Sequence, residues 1–276
     1  MQNVIFAIAV LGALGGVFGA VLAFASKIFY VEQDERIDRI VAVLPGANCG
    51  GCGYAGCSNC ASEIVAGNAK INACPVGGAD CAAKIGEIMG VEAESGARMV
   101  AHVNCCGGDK AEKKYNYEGI SDCLAASKVA GGPLACGFGC FGLGTCVKVC
   151  KFDAIHIVDG HAVVDVEKCV NCGACKAACP RKLIETAPAD QKVFVNCASK
   201  AKGQDVRKQC GIGCIGCTLC TRKCPTGAIT VQNNLASIDY SKCTNCGACA
   251  EACPRKLIIN LGAKPAVAEE AAVAAQ

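Results

Sequence analysis

The chain begins with a long apolar stretch that contains no charge. No residue from Met1 to Ser26 is charged, and Val4 to Phe24 consists almost entirely of small, aliphatic and phenylalanine residues. A bilayer span takes roughly 20 such residues, so the pattern predicts one transmembrane helix within residues 1–29. A cleaved signal peptide is the alternative, but the positively charged start of such peptides is missing here.

The charges that follow the span indicate its orientation. Lys27, Arg36 and Arg39 lie on its C-terminal side, and the positive-inside rule then places the rest of the chain in the cytoplasm. The span also holds two pairs of glycines at G-x-x-x-G spacing, Gly12–Gly16 and Gly15–Gly19. Small residues at this spacing let helices approach closely, so we expect the helix to pack against other membrane subunits of the cell (inner) membrane.

Shorter patterns predict the elements beyond the membrane. Residues 35–44 place apolar side chains at i, i+3, i+4 and i+7, which is typical of an amphipathic helix, and Pro45-Gly46 ends it. Two pairs of β-like stretches are separated by the turn-forming residues Asp159-Gly160 and Asn233-Asn234, which predicts two hairpins. These stretches are 154–158 with 162–165, and 228–231 with 236–239.

Composition changes the picture decisively, because 27 of the 276 residues are cysteines. Two tandem runs have the spacing C-x2-C-x2-C-x3-C-P, in which three cysteines hold one [4Fe–4S] cluster and the fourth ligates the other cluster of a pair. This predicts two ligand sets in the C-terminal part of the chain. They are Cys214, Cys217, Cys220 and Cys253 (set 4), and Cys224, Cys243, Cys246 and Cys249 (set 5).

Other uses of so many cysteines explain the pattern less well. Disulfide frameworks are expected in small secreted domains, and zinc ribbons need no third cysteine followed by Cys-Pro. The spacing therefore favours iron–sulfur chemistry.

An internal repeat extends this assignment. Residues 123–183 match residues 197–257 at a constant offset of 74, down to the tails Cys-Pro-Arg-Lys-Leu-Ile. The first copy yields a third set by the same logic. It consists of Cys150, Cys169, Cys172 and Cys175 (set 3).

The first copy lacks one thiolate, because Leu143 stands where the second copy has Cys217. Cys136 lies close enough in sequence to fill the vacancy, and a three-iron cluster without that ligand is the alternative. Lys151 replaces the proline that usually follows the fourth cysteine. The resulting assignment is Cys136, Cys140, Cys146 and Cys179 (set 2).

Two further sets use different spacings. Behind the amphipathic helix, C-x2-C-x4-C-x16-C supplies Cys49, Cys52, Cys57 and Cys74 for an independent cluster (set 1). Cys60 and Cys81 are expected to be buried apolar residues. The cysteines then left over would provide a sixth cluster between the copies, with Cys105 or Cys106 as one ligand. The assignment that we use is Cys105, Cys123, Cys197 and Cys210 (set 6).

The motif Pro45-Gly46-Ala47-Asn48-Cys49-Gly50-Gly51-Cys52-Gly53-Tyr54 behind a single membrane helix resembles one family in particular. The chain is similar over almost its whole length to the B subunits of Rnf complexes, membrane ferredoxin:NAD oxidoreductases that pump Na⁺ or H⁺. The resemblance implies cytoplasmic exposure, electrons accepted from reduced ferredoxin, and delivery to membrane subunits with iron–sulfur and flavin centres. Leu143 and Lys151 depart from the ordinary ferredoxin pattern.

We therefore expect an α+β protein with a single transmembrane helix, a small [4Fe–4S] domain and tandem two-cluster ferredoxin-like units. The expected boundaries are 1–29 (helix), 30–92 (membrane-proximal domain), 93–190 and 191–260 (ferredoxin-like units) and 261–276 (disordered tail). Five [4Fe–4S] clusters are expected, with set 6 as the sixth.

The chain carries no recognisable substrate chemistry of its own. Its G-x-G runs lie between cysteines and not between a strand and a helix, so bound NAD or flavin is not expected, nor are catalytic residues or a nucleic-acid partner. From Cys197 to Leu257 there are nine Lys and Arg against three Asp and Glu, which suits an acidic ferredoxin as partner. A membrane-anchored polyferredoxin that serves a non-pumping dehydrogenase or hydrogenase is the alternative function.

Overall fold

The computed structural model describes residues 2–28, 34–92 and 97–262. The predicted tail lies outside the described residues except for Leu261 and Gly262. The N-terminal apolar stretch forms one helix, α1 (Gln2–Ile28), and its segment Val10–Lys27 is long and apolar enough to cross a membrane, with mean hydropathy 1.7. Large side chains on it, such as Phe18 and Leu22, are exposed. The predicted apolar helix is confirmed.

Three helices build a small unit next in the chain. They are α2 (Glu35–Val43), α3 (Cys57–Val65) and α4 (Gly78–Met89). Ile40, Ile64 and Ile85 are fully buried between them, as the amphipathic pattern of 35–44 requires. Asp34 caps α2 by accepting a hydrogen bond from the Arg36 N–H at 2.9 Å, and the helix ends one residue before the predicted stop.

The remaining described chain consists of short helices and strands in two similar halves. The first repeat contains a 3-10 helix (Gly108–Lys110) and the elements β1 (Met99–Val103), α5 (Cys123–Lys128), α6 (Thr145–Lys148), β2 (Ile155–Val158), β3 (His161–Val164), α7 (Ala174–Ala178) and β4 (Ile184–Pro188). The second repeat contains β5 (Val193–Val195), α8 (Gly203–Gln209), α9 (Leu219–Lys223), β6 (Ile229–Gln232), β7 (Leu235–Ile238), α10 (Ala248–Glu251) and β8 (Ile258–Asn260).

Each repeat holds two antiparallel strand pairs. The hairpins β2–β3 and β6–β7 are those that the sequence predicts. The second pair closes each repeat by joining its first and last strands, β1 with β4 and β5 with β8. Buried apolar side chains of these strands, among them Ile155 and Ile184 in one repeat and Ile229 and Ile258 in the other, form a separate core for each half.

The closing strands show which cysteine of the first repeat is equivalent to Cys197 of the second, and the constant offset of 74 does not identify it. β1 and β5 both run into the sequence Val-Asn-Cys, which ends at Cys105 in the first repeat and at Cys197 in the second. The N–H of Asn104 donates to the Leu183 carbonyl at 2.8 Å, and the N–H of Asn196 donates to the Leu257 carbonyl at 3.1 Å. The structural counterpart of Cys197 is therefore Cys105 and not Cys123, which lies in an insertion of the first repeat.

Candidate metal centres

The structure brings the four cysteines predicted for set 3 together, and likewise the four predicted for set 4. These cysteines line two cavities of about 370 and 330 Å³. The pKa of the Cys175 and Cys220 thiols is raised to about 11 in each case, first by burial and then by the other three thiols of the same set. Each cavity lies where three cysteines of one loop meet a fourth from a distant segment, the geometry that a four-iron cube requires.

Set 5 also comes together. Burial raises the pKa of the Cys249 thiol, and the thiols of Cys224, Cys243 and Cys246 act on it in the same direction. Gln191, itself buried, donates a hydrogen bond from Nε2 to the Sγ of Cys243 at 3.4 Å. Hydrogen bonds to cluster thiolates are one of the means by which a protein tunes a cluster.

Set 2 differs from the expectation in one member. A cavity of about 360 Å³ is lined by Cys140, Cys146 and Cys179 together with Cys123, and Cys136 is not among its lining residues. Burial raises the pKa of the Cys146 thiol to about 12, to which the thiols of Cys140, Cys123 and Cys179 contribute. The structure thus brings Cys123, and not the expected Cys136, to the position left vacant by Leu143.

Hydrogen bonds at the start of α5 hold Cys123 in this place. The carboxylate of Asp122 caps the helix by accepting from the Ala125 N–H at 2.8 Å, and its other oxygen accepts from the Thr145 hydroxyl at 2.9 Å. The same hydroxyl oxygen accepts from the Cys123 N–H at 2.6 Å. Thr145 directly precedes Cys146, which lines the same cavity. These hydrogen bonds therefore hold Cys123 and its inserted segment next to Cys146.

Cys136 lies instead in the cavity between the repeats, where the sequence placed Cys123. This cavity, of about 450 Å³, is lined by Cys105, Cys136, Cys197 and Cys210, and also by Cys140, which lines the set 2 cavity as well. Burial raises the pKa of the Cys136 thiol, and the thiols of Cys105 and Cys210 add to the effect. Set 6 therefore exchanges Cys123 for Cys136.

The four thiols of the revised set 6 are two equivalent pairs. Cys105 and Cys197 follow the closing strands, and Cys136 and Cys210 each begin a Cys-Gly-x-Gly-Cys loop. Cys105 accepts at Sγ a hydrogen bond from the Cys140 N–H at 3.4 Å, and Cys197 accepts one from the Cys214 N–H at the same distance. The Val-Asn-Cys repeat is the sequence signal that could have identified this pairing.

Cys106 lies against set 6 without lining its cavity. Its Sγ donates to the Asn196 carbonyl at 3.3 Å, and burial raises the pKa of its thiol to about 12. Of the two cysteines between which the sequence left the choice open, Cys105 lines the cavity and Cys106 does not.

Set 1 is gathered around α3. Burial raises the pKa of the Cys74 thiol, with Cys52 and Cys57 contributing, so three of the four expected ligands are neighbours. Cys49 precedes the turn that leads into Cys52, in which the Gly53 N–H donates to the Gly50 carbonyl at 2.9 Å. Asn48 accepts at Oδ1 from the Cys57 N–H at 2.8 Å and so fixes this loop onto α3.

Two additional cysteines lie beside set 1. Cys60 and Cys81 are buried in the core of the small unit, with 1% and 6% of their surfaces exposed. Burial raises the pKa of the Cys60 thiol to about 12, and the Cys81 Sγ lies 3.7 Å from the Val43 carbonyl oxygen. Both behave as the apolar core residues that the sequence suggested.

The donor sets fit iron–sulfur clusters better than single ions. Within the described residues, no three Cys, His, Asp or Glu side chains converge on a point where one metal ion could bind. The cysteines of sets 2, 3, 4 and 6 instead surround cavities of about 330 to 450 Å³. All-thiolate donor sets of four are the usual ligands of [4Fe–4S] clusters.

Three known families match segments of the chain. A family described as "Putative Fe-S cluster" matches residues 44–76, and two families described as "4Fe-4S dicluster domain" match residues 139–184 and 213–257. The cysteines of set 6 all lie outside these ranges, as does Cys123.

Relatives match nearly the whole chain. One is the B subunit of the "Na(+)-translocating ferredoxin:NAD(+) oxidoreductase complex" of Acetobacterium woodii, 45% identical over 94% of this chain and 78% of the relative. The B subunit of an "Ion-translocating oxidoreductase complex" of Methanosarcina acetivorans is 45% identical over 91% and 96%. The B subunit of a "Proton-translocating ferredoxin:NAD(+) oxidoreductase complex" of Clostridium ljungdahlii is 44% identical over 92% and 91%. The chain belongs to the family of B subunits of ion-translocating oxidoreductase (Rnf) complexes.

Proposed function

We propose that this chain is the iron–sulfur subunit that accepts electrons from reduced ferredoxin and passes them to membrane subunits of a Na⁺ or H⁺ pump that reduces NAD. The observation that carries the proposal is the series of thiol-lined sites along a chain that begins with an apolar helix. Each bound [4Fe–4S] cluster would accept and release one electron. The protein holds the clusters, covers them and determines which of them a partner can reach.

We assign six ligand sets to these clusters. Sets 1, 3, 4 and 5 keep the assignments made from spacing, so that 93–190 and 191–260 form tandem two-cluster ferredoxin-like units behind a membrane-proximal domain at 30–92. Set 2 becomes Cys123, Cys140, Cys146 and Cys179. Set 6 becomes Cys105, Cys136, Cys197 and Cys210.

Iron analysis tests the number of clusters. Six four-iron clusters correspond to about 24 iron atoms per chain, and five correspond to about 20. We expect about 24 in protein purified anaerobically. A value near 20 that is unchanged by substitution of Cys136 would remove the sixth cluster from the proposal.

Exposure indicates where electrons enter. Cys217 and Cys246 are the two exposed cysteines among the described residues, and both belong to the second repeat. Their counterparts at the offset of 74 are Leu143, which has no thiol, and Cys172, which is partly covered. Sets 4 and 5 are therefore more open to a soluble partner than sets 2 and 3.

The distribution of basic residues supports electron entry at the same repeat. The helices α8 and α9 each end in two exposed basic residues, Arg207 with Lys208 and Arg222 with Lys223. Arg222 and Lys223 lie between Cys220 of set 4 and Cys224 of set 5. Complementary charges accelerate the encounter of two proteins, and an acidic ferredoxin would be attracted to this end of the chain.

Charge neutralisation tests the proposed docking. Replacing Arg207, Lys208, Arg222 and Lys223 by Gln should lower the rate of reduction by ferredoxin and flatten its dependence on ionic strength. Replacing four exposed lysines of the first repeat by Gln is the matched control, and it should change neither; they are Lys128, Lys151, Lys176 and Lys182. An equal loss in both variants would contradict docking at the second repeat.

The membrane orientation follows from the charge pattern. We place the cluster-bearing residues 30–260 in the cytoplasm, since Lys27 closes α1 on that side and ferredoxin would otherwise be out of reach. Labelling of exposed lysines in intact cells and in inverted vesicles tests this placement. We expect Lys208 to react in inverted vesicles only.

A further inference from the structure

The loop that carries set 1 contacts the first repeat at a position where no side chain fits. A methyl group built on Gly51 would lie 2.7 Å from the carbonyl oxygen of Cys172 and 3.0 Å from its Cα. Carbon atoms do not approach backbone atoms this closely without displacing them. The backbone of Gly51 is outside the left-handed region, so glycine is required here by the close approach alone.

Both sides of this contact belong to cysteine-bearing loops. Gly51 directly precedes Cys52 of set 1, and Cys172 lines the cavity of set 3. Among the described glycines of residues 46–90, Gly51 is the one whose added methyl group would meet a ligand cysteine of another set. Gly51 thus marks a direct approach between the membrane-proximal site and the first repeat.

A second feature lies beside this contact and holds the set 3 loop in place within the first repeat. Arg98, which follows the small unit in the chain and precedes β1, donates from Nη2 to the carbonyls of Val166 at 2.7 Å and Glu167 at 3.0 Å. These carbonyls belong to the loop that leads into Cys169 of set 3. A cleft beside them is lined from both parts, by Cys74 and Pro75 on one side and by Cys169 and Val170 on the other.

Comparison with the second repeat shows that the contact with Gly51 covers Cys172. Cys246 is the counterpart of Cys172 at the offset of 74, and it is exposed, whereas Cys172 is partly covered. The same position of the fold thus faces solvent in one repeat and a second cysteine-bearing loop in the other.

We propose that Gly51 is a positioning residue that sets the closest approach of set 1 to set 3, and that one electron at a time crosses between them at the Gly51–Cys172 contact. No bond is made or broken in this exchange: the cluster of set 3 is oxidised as that of set 1 is reduced. The inference rests on the proposed function. It adds that the first repeat connects to the membrane-proximal site through set 3 and not through set 2.

Gly51→Ala is the test, made in the complete chain within its complex. Electron tunnelling weakens exponentially with distance, so displacement of the set 1 loop by the added methyl group should slow transfer across the contact. We expect ferredoxin-driven reduction of the set 1 cluster to slow severalfold, while reduction of set 3 and the iron content stay unchanged. Gly137→Ala is the control, since Gly137 also adjoins a cysteine, has ordinary backbone angles and has open space around it.

Two further measurements do not depend on turnover. In the fully reduced protein, Gly51→Ala should reduce the magnetic coupling between the two clusters in the electron paramagnetic resonance spectrum. Hydrogen exchange should rise in the loops 48–57 and 169–175, and Arg98→Ala should raise it in the second loop too. Gly137→Ala should leave both readouts as in the wild type.

The outcomes separate this inference from the proposed function. If ferredoxin reduces the chain normally but Gly51→Ala leaves the coupling, the exchange and the rate unchanged, the contact is not the crossing point. If ferredoxin reduces no cluster even in the wild type, the proposed function fails, while the coupling and exchange data still decide whether Gly51 sets the approach. Loss of coupling with an unchanged rate would show that electrons reach set 1 by another route.

Discussion

A single cysteine pair shows how far spacing alone can be trusted in this chain. Cys136 lies nearest in sequence to the vacancy beside Leu143, yet Cys123, 17 residues before Cys140, occupies it. Cys136, at the start of the Cys-Gly-x-Gly-Cys loop, lies instead in the cavity between the repeats. The spacing predicts the cysteines that the two ferredoxin runs themselves supply, as in sets 3 to 5, but not a cysteine that comes from an insertion outside those runs.

Double substitutions test the exchange of Cys123 and Cys136. Each removal of a ligand should cost up to one cluster, about four iron atoms. Cys123→Ser combined with Cys146→Ser should lose no more iron than Cys146→Ser alone, because both residues serve set 2. Cys136→Ser combined with Cys146→Ser should lose about twice as much, since independent sites add. The reverse result would restore the assignment made from spacing.

His102 gives a prediction about pH. Its ring stacks on Phe194 with centroids 4.0 Å apart, and its Nε2 lies 2.9 Å from the Asn196 Oδ1. Burial lowers the pKa of His102 from 6.5 to about 4, partly offset by Asn196 and by Glu185 on the paired strand. The unfolded chain therefore takes up the proton first, so this contribution to stability is complete above pH 6.5 and is lost as the pH falls towards 4.

The loss at pH 5 should be about 2 kcal/mol of unfolding free energy. Guanidinium unfolding of anaerobic protein at pH 7.5 and pH 5 measures it. His102→Gln, which cannot take up a proton, should show a pH dependence smaller by this amount. The same decline in both proteins would mean that His102 is not the group responsible.

Among the elements, those defined by adjacent residues are predictable and those defined by distant partners are not. The alternation of 154–165 and 228–239 around turn residues predicts the hairpins, and both form. The closing pairs β1–β4 and β5–β8 are only three to five residues long, and their partners lie far apart in sequence. The local sequence pattern does not predict that Met99–Val103 pairs with Ile184–Pro188. The Val-Asn-Cys sequences that follow β1 and β5 do show, once the structure is known, that these two strands are equivalent.

The first turn of α5 should determine how firmly set 2 retains its cluster. Asp122→Ala removes the acceptor for the Ala125 N–H and the Thr145 hydroxyl, so Cys123 should be less well positioned. We expect faster loss of iron to a chelator from one cluster, with the others unaffected. Asp122→Asn is the matched control, because asparagine also caps helices well, and it should retain iron nearly as the wild type does. Equal loss from both variants would point to charge and not to the cap.

At the scale of the whole molecule, the family relationship and the apolar helix agree on a membrane-bound subunit, and the relatives match nearly its whole length. The sequence does not predict which cluster sites lie next to each other. The approach of Gly51 to Cys172, for example, depends on how two units pack together. The number of cysteines sets an upper limit on the clusters, and only the fold shows which thiols meet.

The glycines of α1 should matter for assembly. Replacing Gly12 and Gly16 together by Ile would block a close helix contact, and nothing within α1 itself crowds these positions. We expect less of the membrane subunits to co-purify with the variant, at unchanged iron content. Leu11→Ile and Val17→Ile change neighbouring exposed side chains without adding bulk to the glycine face, and they should leave co-purification intact.

The openness of Cys217 and Cys246 also bears on how this protein meets oxygen. Exposed thiolates are the ones that oxidants reach first, and both lie in the repeat farthest in sequence from the membrane helix. Brief exposure to air should therefore damage the second repeat while the covered clusters of the first survive. A cell briefly exposed to air would lose the clusters of the second repeat first, which under the proposed function halts electron flow before the centres next to the apolar helix are affected.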